Sequence, residues 1–420
     1  MRWALSLAWH SAWHRRFGLG LVVVSVALAT FLLLGVERLR ADVRQHFARA
    51  VSGTDLIVGP RTGAVQLLLY SVFRIGQPTQ NIRWRSVQAL SQDPAVAWVV
   101  PLSLGDSYRG FPVVGTTDAY FEHFRHGDRR QLAFAQGRSF QAVFDAVLGH
   151  DVARQLGLKP GDRLVLQHGS GGLPGQAHAD KPFVVTGILQ RTGTPVDRSV
   201  HISLAGMEAL HLDWVAGVPL PGRKVPAERV HQHDLTPTTV TAVLVGLKQR
   251  SLVFSVQRRI AAFEQEPLMA VLPGVVLDEL WDAVGIGEQA LRAMSALVAA
   301  VSLAGLVAVI VAGLEQRRRE LAVLRSVGAG PRQVFGLLVL EGALVTTLGA
   351  VLGAAASALA AALLGPWLEQ WYGIGVRAAL PNPEQWAWFA AVCVAGTLAS
   401  VAPGWRAYRL SLSDGLQPRG

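Results

Sequence analysis

Residues 293–331 read AMSALVAAVSLAGLVAVIVAGL and then EQRRRELAVLRSVGAGP, and the change of character at Glu315 decides how the chain is built. The first part carries no charge and is long enough for one crossing, since a helix spans the hydrocarbon core with about 20 apolar residues. Arg317, Arg318 and Arg319 follow at once, with Arg325 and Arg332 beyond them. Short loops rich in Lys and Arg stay on the cytoplasmic side. Leu321, Leu324 and Val327 recur on one helical face, with Arg318, Glu320 and Arg325 around it. Gly328-Ala329-Gly330 then stops the helix, and Pro331 suits the first turn of the next. The stretch reads as a spanning helix (293–314) followed by a cytoplasmic loop (315–333) holding a short amphipathic helix.

Three more apolar runs complete the membrane part. Residues 17–36 are free of charge and continue into Glu37-Arg38-Leu39-Arg40 without a small-residue cleavage site. A signal-peptide core runs only about 7–15 residues, so this is an uncleaved first span. Residues 334–366 form the third span, with Glu341 near its cytoplasmic end, and residues 386–403 the fourth. Arg15 and Arg16 before span one, the arginines of 315–333, and Arg406 and Arg409 after span four fall on one side if the spans alternate. That places both termini and the 404–420 tail in the cytoplasm. The short outer loop, 367–385, holds one basic residue, Arg377. Trp13, Trp281, Trp367, Trp371, Trp386 and Trp405 flank spans, as aromatic residues do at membrane interfaces. Residues 1–16, with Leu5, Trp9 and Trp13 at i+4 spacing, read as an amphipathic helix on the inner leaflet. Within span three, Gly349, Gly353, Ser357 and Ala361 form a stripe of small residues, and Gly342, Thr346, Ala350 and Ala354 a second. Such stripes let helix backbones approach closely. Packing within one subunit and packing between subunits both fit the pattern.

The bulk composition agrees. Hydrophobic residues make up 51% of the chain and charged residues 16%, against about 25% in soluble domains. The net charge of +10 is explained by span-flanking arginines, and no basic motif interleaved with aromatics points to nucleic acid. The single cysteine, Cys393, excludes an intrachain disulfide. Between spans one and two, residues 37–292 are long enough for a domain with its own core. Strand-like runs at 95–100, 163–167, 183–189, 200–203 and 239–247 alternate with helical stretches at 86–90 and 151–156, which predicts a mixed α/β domain outside the membrane. Residues 218–237 lack periodicity and read as a mobile insertion. Residues near 277–281 lead by a helical stalk into span two. Leu68, Leu69, Val72 and Phe73 make an apolar patch with two readings, a core helix or a surface that meets lipid or substrate.

Catalytic chemistry is missing. There is no G-x-x-x-x-G-K-[ST] phosphate loop and no H-E-x-x-H zinc helix. His168-Gly169-Ser170-Gly171-Gly172 lacks the spacing of a nucleophile elbow. Ten of the 12 histidines lie in the outer segment, and His231-Gln232-His233-Asp234 matches no strong ligand spacing. The expectation is no catalytic residue, no metal and no cofactor held by this chain.

The R-R-R-E-x-x-x-L-R-x-x-G-A run at 317–329, continued by Gln333-Val334-Phe335 and Glu341-Gly342, resembles the permease subunits of MacB/FtsX/LolC-type ABC transporters. Leu5-Ala8-Trp9-Ser11-Arg15-Arg16, the Gln155–Asp162 turn and Phe183–Leu189 are similar to further landmarks of that family, in the same order. The resemblance implies a 1+3 arrangement of four transmembrane helices around an extracytoplasmic MacB-like domain, in the cytoplasmic (inner) membrane. It implies that Arg318, Arg319, Glu320, Leu321, Leu324, Arg325, Val327 and Gly328 form a coupling helix seated on a separate ABC ATPase dimer. That partner would bind ATP and Mg. A second permease subunit, identical or different, is implied, together with a periplasmic adaptor or lipoprotein and membrane lipid as further partners. The function implied is mechanotransmission: ATP hydrolysis by the partner moves the outer domain, which exports or extracts a hydrophobic or peptide-like substrate. The alternative is a membrane-anchored sensor or scaffold whose outer domain binds a ligand without an ATPase.

Overall fold

A computed structural model of the chain describes residues 16–50, 52–169, 177–215, 218–219, 225–316, 329–372 and 381–409. They form two compact units, one of the N- and C-terminal helices and one of the α/β segment between them. Among the described residues, four helices are long and apolar enough to cross a membrane, one before and three after the α/β domain.

The first, α1 (Arg16–Ala50), buries Val22, Val26, Ala29 and Leu33 and exposes Leu21, Val24, Leu28 and Leu32 on the opposite face. Both rows are apolar. A helix hydrophobic all round belongs in lipid, with one face on its neighbours. It passes the expected end at residue 36 because residues 37–50 contain neither Gly nor Pro to stop it.

The outer domain is built on a mixed sheet. Its main strands are β1 (Leu56–Pro60), β2 (Val96–Tyr108), β3 (Phe111–Thr116), β4 (Phe134–Gly137), β5 (Asp145–Leu148), β6 (Phe183–Leu189), β7 (Val200–Ser203), β8 (Ala242–Leu247) and β9 (Leu268–Val271). Their spatial order is β9-β1-β8-β2-β3-β7-β5-β6-β4. The pairs β3·β7 and β5·β6 are parallel and the other neighbours on this path antiparallel. Successive side chains of a strand point to opposite faces, and the core follows that period. Leu56, Val58, Val243 and Val245 pack on one face with Val87 and Leu90 of α2 (Trp84–Ser91) and Val256 and Ile260 of α3 (Val253–Ala261). Ile57 and Leu244 point to the other face and join Val100, Leu102, Tyr120, Phe121 and Phe124. A third cluster fills the far half of the sheet, from Val113, Leu148, Phe183, Val185 and Ile202 to Val152 and Met207.

After the domain, α4 (Pro273–Gln316) runs unbroken through both the expected stalk and span two. Helix α5 (Pro331–Tyr372) passes the expected stop at Pro366, where one backbone donor is missing without ending the helix. Helix α6 (Pro383–Ala399) starts earlier than residue 386 because Asn382 and Gln385 form a capping box. The Asn382 side chain accepts from Gln385 N–H at 2.8 Å, and the Gln385 side chain accepts from Asn382 N–H at 3.0 Å. Its end lies before the expected residue 403. Ser400 interrupts it, its hydroxyl donating to Gly396 C=O at 2.8 Å, and α7 (Val401–Arg409) follows.

Candidate functional site

In the membrane unit, the two small-residue stripes of α5 face different helices. A Cβ on Gly353 would come within 2.3 Å of the Ala27 carbonyl oxygen, and one on Gly349 within 2.8 Å of the Val26 side chain. Ser357 and Ala361 are buried further along the same row. This stripe packs on α1, inside one subunit. The second stripe packs on α6: Gly342 faces Ser400, and Gly396 faces Thr346. Backbone approach of this kind supplies the dispersion contacts that lipid tails cannot discourage. The bundle core adds Leu306, Ile310, Leu338, Ala350 and Val392.

At the end of the apolar part of α1 lies a cluster of charges. Arg40 donates to Glu288 at 2.5 Å and to Glu37 at 2.9 Å, and approaches Glu384 at 3.7 Å. Arg292 approaches Glu37 at 3.7 Å and Glu288 at 3.8 Å. Glu37 is only 2% exposed. The cluster joins α1, α4 and the first turn of α6, and Gln385 adds a bond to Leu34 C=O at 3.4 Å. A buried charge persists only where opposite charges compensate its lost hydration. Within the outer unit the same two helices meet again, with the Phe47 ring against Trp281 at 5.5 Å and Arg44 over Trp281.

The outer domain holds a second buried polar cluster, of Asp106, His168, His178 and His211. Strand β2 carries a bulge between Leu104 and Ser107, with Gly105 at φ +152°, and the bulge turns Asp106 inward. The Asp106 carboxylate lies 3.0 Å from His168 Nδ1 and 3.5 Å from His211 Nε2, and those two nitrogens are 3.3 Å apart. His168 sits on a short strand paired with β2, directly opposite Asp106. His211 ends the helix that starts at Leu204, and its Nδ1 donates to Met207 C=O at 3.0 Å. His178, 1% exposed, is held by its backbone N–H on Leu166 C=O at 2.9 Å. Trp214 lies against the rings of His178 and His168 at 4.5 and 5.6 Å. Burial by itself would raise the Asp106 carboxyl, but hydrogen bonds from His168 and His211 hold it down to about 2. Burial pushes His178 down to about 4. For His211, burial opposes the charged ring, but its bond to Asp106 and that carboxylate's charge raise it above the ordinary value. Among the described residues, neither ring nitrogen of His178 has a hydrogen-bond partner, nor has Asp106 Oδ2. Each buried polar atom left so costs about 1–3 kcal/mol.

Two family models match the chain. The MacB-like periplasmic core domain matches residues 19–263, more than half its length, and the FtsX-like permease C-terminal matches residues 292–412. The chain belongs to the MacB/FtsX-type permeases. Solved structures similar to this permease include the periplasmic region of MacB from Actinobacillus actinomycetemcomitans, 12% identical, covering 55% of this chain and 94% of that one with a TM-score of 0.34. Another is the extracellular domain of the noncanonic ABC-type transporter YknZ from Gram-positive bacteria, 13% identical, covering 52% and 98% with a TM-score of 0.29. No curated relative matches the permease. As a member of this family it is an ABC transporter membrane subunit, multi-pass, with its α/β domain outside the cytoplasm. The family works with an ABC ATPase partner.

The residues expected to couple the permease to that partner, Arg318, Arg319, Glu320, Leu321, Leu324, Arg325, Val327 and Gly328, lie outside the described residues, as does most of the 1–16 helix. The apolar patch of Leu68, Leu69, Val72 and Phe73 is not a surface for lipid or substrate. Leu68 is fully buried and Val72 and Phe73 nearly so, under the sheet face of Ile57 and Leu102, because two helical turns fold back over that face. His231 and His233 are exposed and join no ligand group. The four residues that do converge come from well-separated parts of the permease sequence, so spacing motifs could not find them. The expectation of no metal rests on those motifs, which do not reach a group assembled from distant parts of the chain. The one available signal was the excess of histidine in the outer segment.

Proposed function

We propose that this permease transmits the movement of a separate ABC ATPase dimer to its outer α/β domain, with the 315–333 loop as the point of force. In this reading the termini and that loop are cytoplasmic, and ATP and Mg bind the partner alone. Two permease subunits, each on one ATPase, move their outer domains together. The motion exports or extracts a hydrophobic or peptide-like substrate, handed on by an adaptor or lipoprotein partner, without a polar conduit through the spans. The observation that carries the reading is the continuity of α1 and α4. Each is a single helix longer than its apolar segment, and the two are fastened by Arg40–Glu288 within the membrane unit and by Phe47–Trp281 within the outer unit. A pair of helices braced in this way suits a push better than a pore.

The test is Glu320→Ala with Arg325→Ala in the complex of permease and ATPase. The complex is expected to copurify intact and to hydrolyse ATP, while the substrate-dependent stimulation of hydrolysis falls at least about 10-fold, as for loss of a coupling contact on the order of 1–3 kcal/mol. Undiminished stimulation would remove the loop from the mechanism, and failure of any ATPase to copurify with the wild-type permease would remove the partner.

A further inference from the structure

The geometry points to a zinc site in the outer domain, formed by Asp106, His168, His178 and His211. The site does not depend on how the permease is driven. The four residues each offer a ligand atom, and these atoms all lie within 4.8 Å of one another. Donors about 2.0–2.1 Å from a tetrahedral zinc ion stand about 3.3 Å apart. Three of the separations here, 3.0, 3.3 and 3.5 Å, bracket that edge.

Hydrogen bonding alone does not account for the cluster. His168 and His211 can both donate to Asp106, but two N–H groups that share one carboxylate oxygen then stand only 3.3 Å apart, donor against donor. Among the described residues His178 stays buried with both ring nitrogens unpartnered, and Asp106 Oδ2 with them. A cation at the centre turns the imidazole nitrogens into ligands, because each presents a lone pair instead of a proton. His211 is already oriented for that role: its Nδ1–H is spent on Met207 C=O, so Nε2, now turned toward Asp106, becomes an inward ligand once the cation displaces its proton. The scaffold around the site is fixed as well. Lys181, fully buried, donates to Asp213 at 2.5 Å and thereby ties the His178 loop to the chain that follows His211.

The donor set selects the ion. Three imidazoles and one carboxylate suit zinc, whereas calcium and magnesium take oxygen ligands. Four protein ligands leave no open position for water, so the site is structural and not hydrolytic. Zinc would pin the β2 bulge, the strand at His168 and the end of the Leu204–His211 helix to one point.

The full-length permease is purified in detergent on a tag without histidine, stripped with EDTA, and titrated with zinc against a chromophoric chelator. One equivalent per chain is expected, accompanied by a rise in Tm, and millimolar magnesium or calcium should not displace it. His178→Ala with His211→Ala should weaken binding by at least about 100-fold. His231→Ala with His233→Ala, in an exposed turn, should leave it unchanged. Should the first variant fail to fold, X-ray absorption at the zinc edge of the wild-type protein decides, with imidazole nitrogen at about 2.0–2.1 Å expected and no sulfur. Absence of a stoichiometric zinc from the wild-type titration overturns the site. So does equal binding by the folded double variant, or a zinc shell without imidazole.

Discussion

Two of the buried polar clusters among the described residues, one in each unit, are finished in different ways. Around Glu37 every charge has an opposite charge within 3.8 Å, supplied by three helices of the bundle itself. Around Asp106 the carboxylate is shared by two imidazoles while a third stays unpartnered. A buried ionic network that is satisfied by its own side chains specifies how helices register; one that leaves donors and acceptors over requires something added. The first cluster pairs every charge, although Arg292 Nε makes no hydrogen bond, and it ties α1, α4 and α6 together within the bundle. The second is complete only with a further ligand.

The largest effect should come from breaking the cluster with every charge paired. Glu37→Ala leaves Arg40 and Arg292 to share Glu288, with Glu384 at a distance, and removing one partner of a buried ion pair costs about 3–5 kcal/mol. Unfolding in detergent micelles should register a loss of that order. Glu37→Gln, which keeps the shape and some hydrogen bonding, should recover part of it. A loss near zero for both variants would mean that water, not the ion network, carries these charges.

A second effect separates the zinc ligands from a histidine that has no such role. His201 on β7 is fully buried against Tyr120 and Phe121 and donates from Nδ1 to Val147 C=O at 3.3 Å. Burial, with the nearby Arg74 charge, pushes it down to about 3. Its folded value is depressed below the unfolded one, so its contribution is present above about pH 6.5 and is lost as the pH falls toward about 3. The fall should reach about 2–3 kcal/mol by about pH 4.5. In His201→Leu the acid limb of the stability curve should be flatter by that amount. A curve parallel to the wild type would show that His201 does not titrate alone there.

The membrane half of the fold was legible because its signals are local: charge-free runs, flanking arginines, and small residues every fourth position can each be read within one helix. Helix ends were read less well. Residues 37–50 offer no breaker, so α1 outruns its apolar segment, and the Asn382–Gln385 capping box, also local, starts α6 ahead of the hydropathy boundary. The existence of strands at 183–189 and 200–203 was legible from their Val and Ile content. The length of β2 was not, since Pro101 and Gly105 interrupt its pattern and only pairing with β8 and β3 on either side keeps it extended. The Leu68–Phe73 patch could not be assigned to core or surface without knowing which sheet face it covers. The Asp106 cluster was least legible, because it depends on a bulge, a strand pairing and a helix end that meet only in the folded domain.

The smallest effect tests whether the stripe facing α1 is graded by what it touches. Gly353→Ala would set a Cβ 2.3 Å from the Ala27 carbonyl, a backbone atom that can retreat only if α1 moves. Gly349→Ala meets Val26 Cβ at 2.8 Å and the Val23 carbonyl oxygen at 3.0 Å, so α1 must give there too, but by less than at Gly353. Overpacking costs about 1–3 kcal/mol, so Gly353→Ala should fall near the top of that range and Gly349→Ala at or below its foot. Unfolding midpoints of the two variants in the same detergent give the comparison. If the order is reversed, the α1 backbone is the softer partner, and the brace between α1 and α5 is then looser at Ala27 than at Val26. Because α1 also carries Arg40, a loose backbone at that level would weaken the case that a push on the bundle is delivered intact to the outer domain.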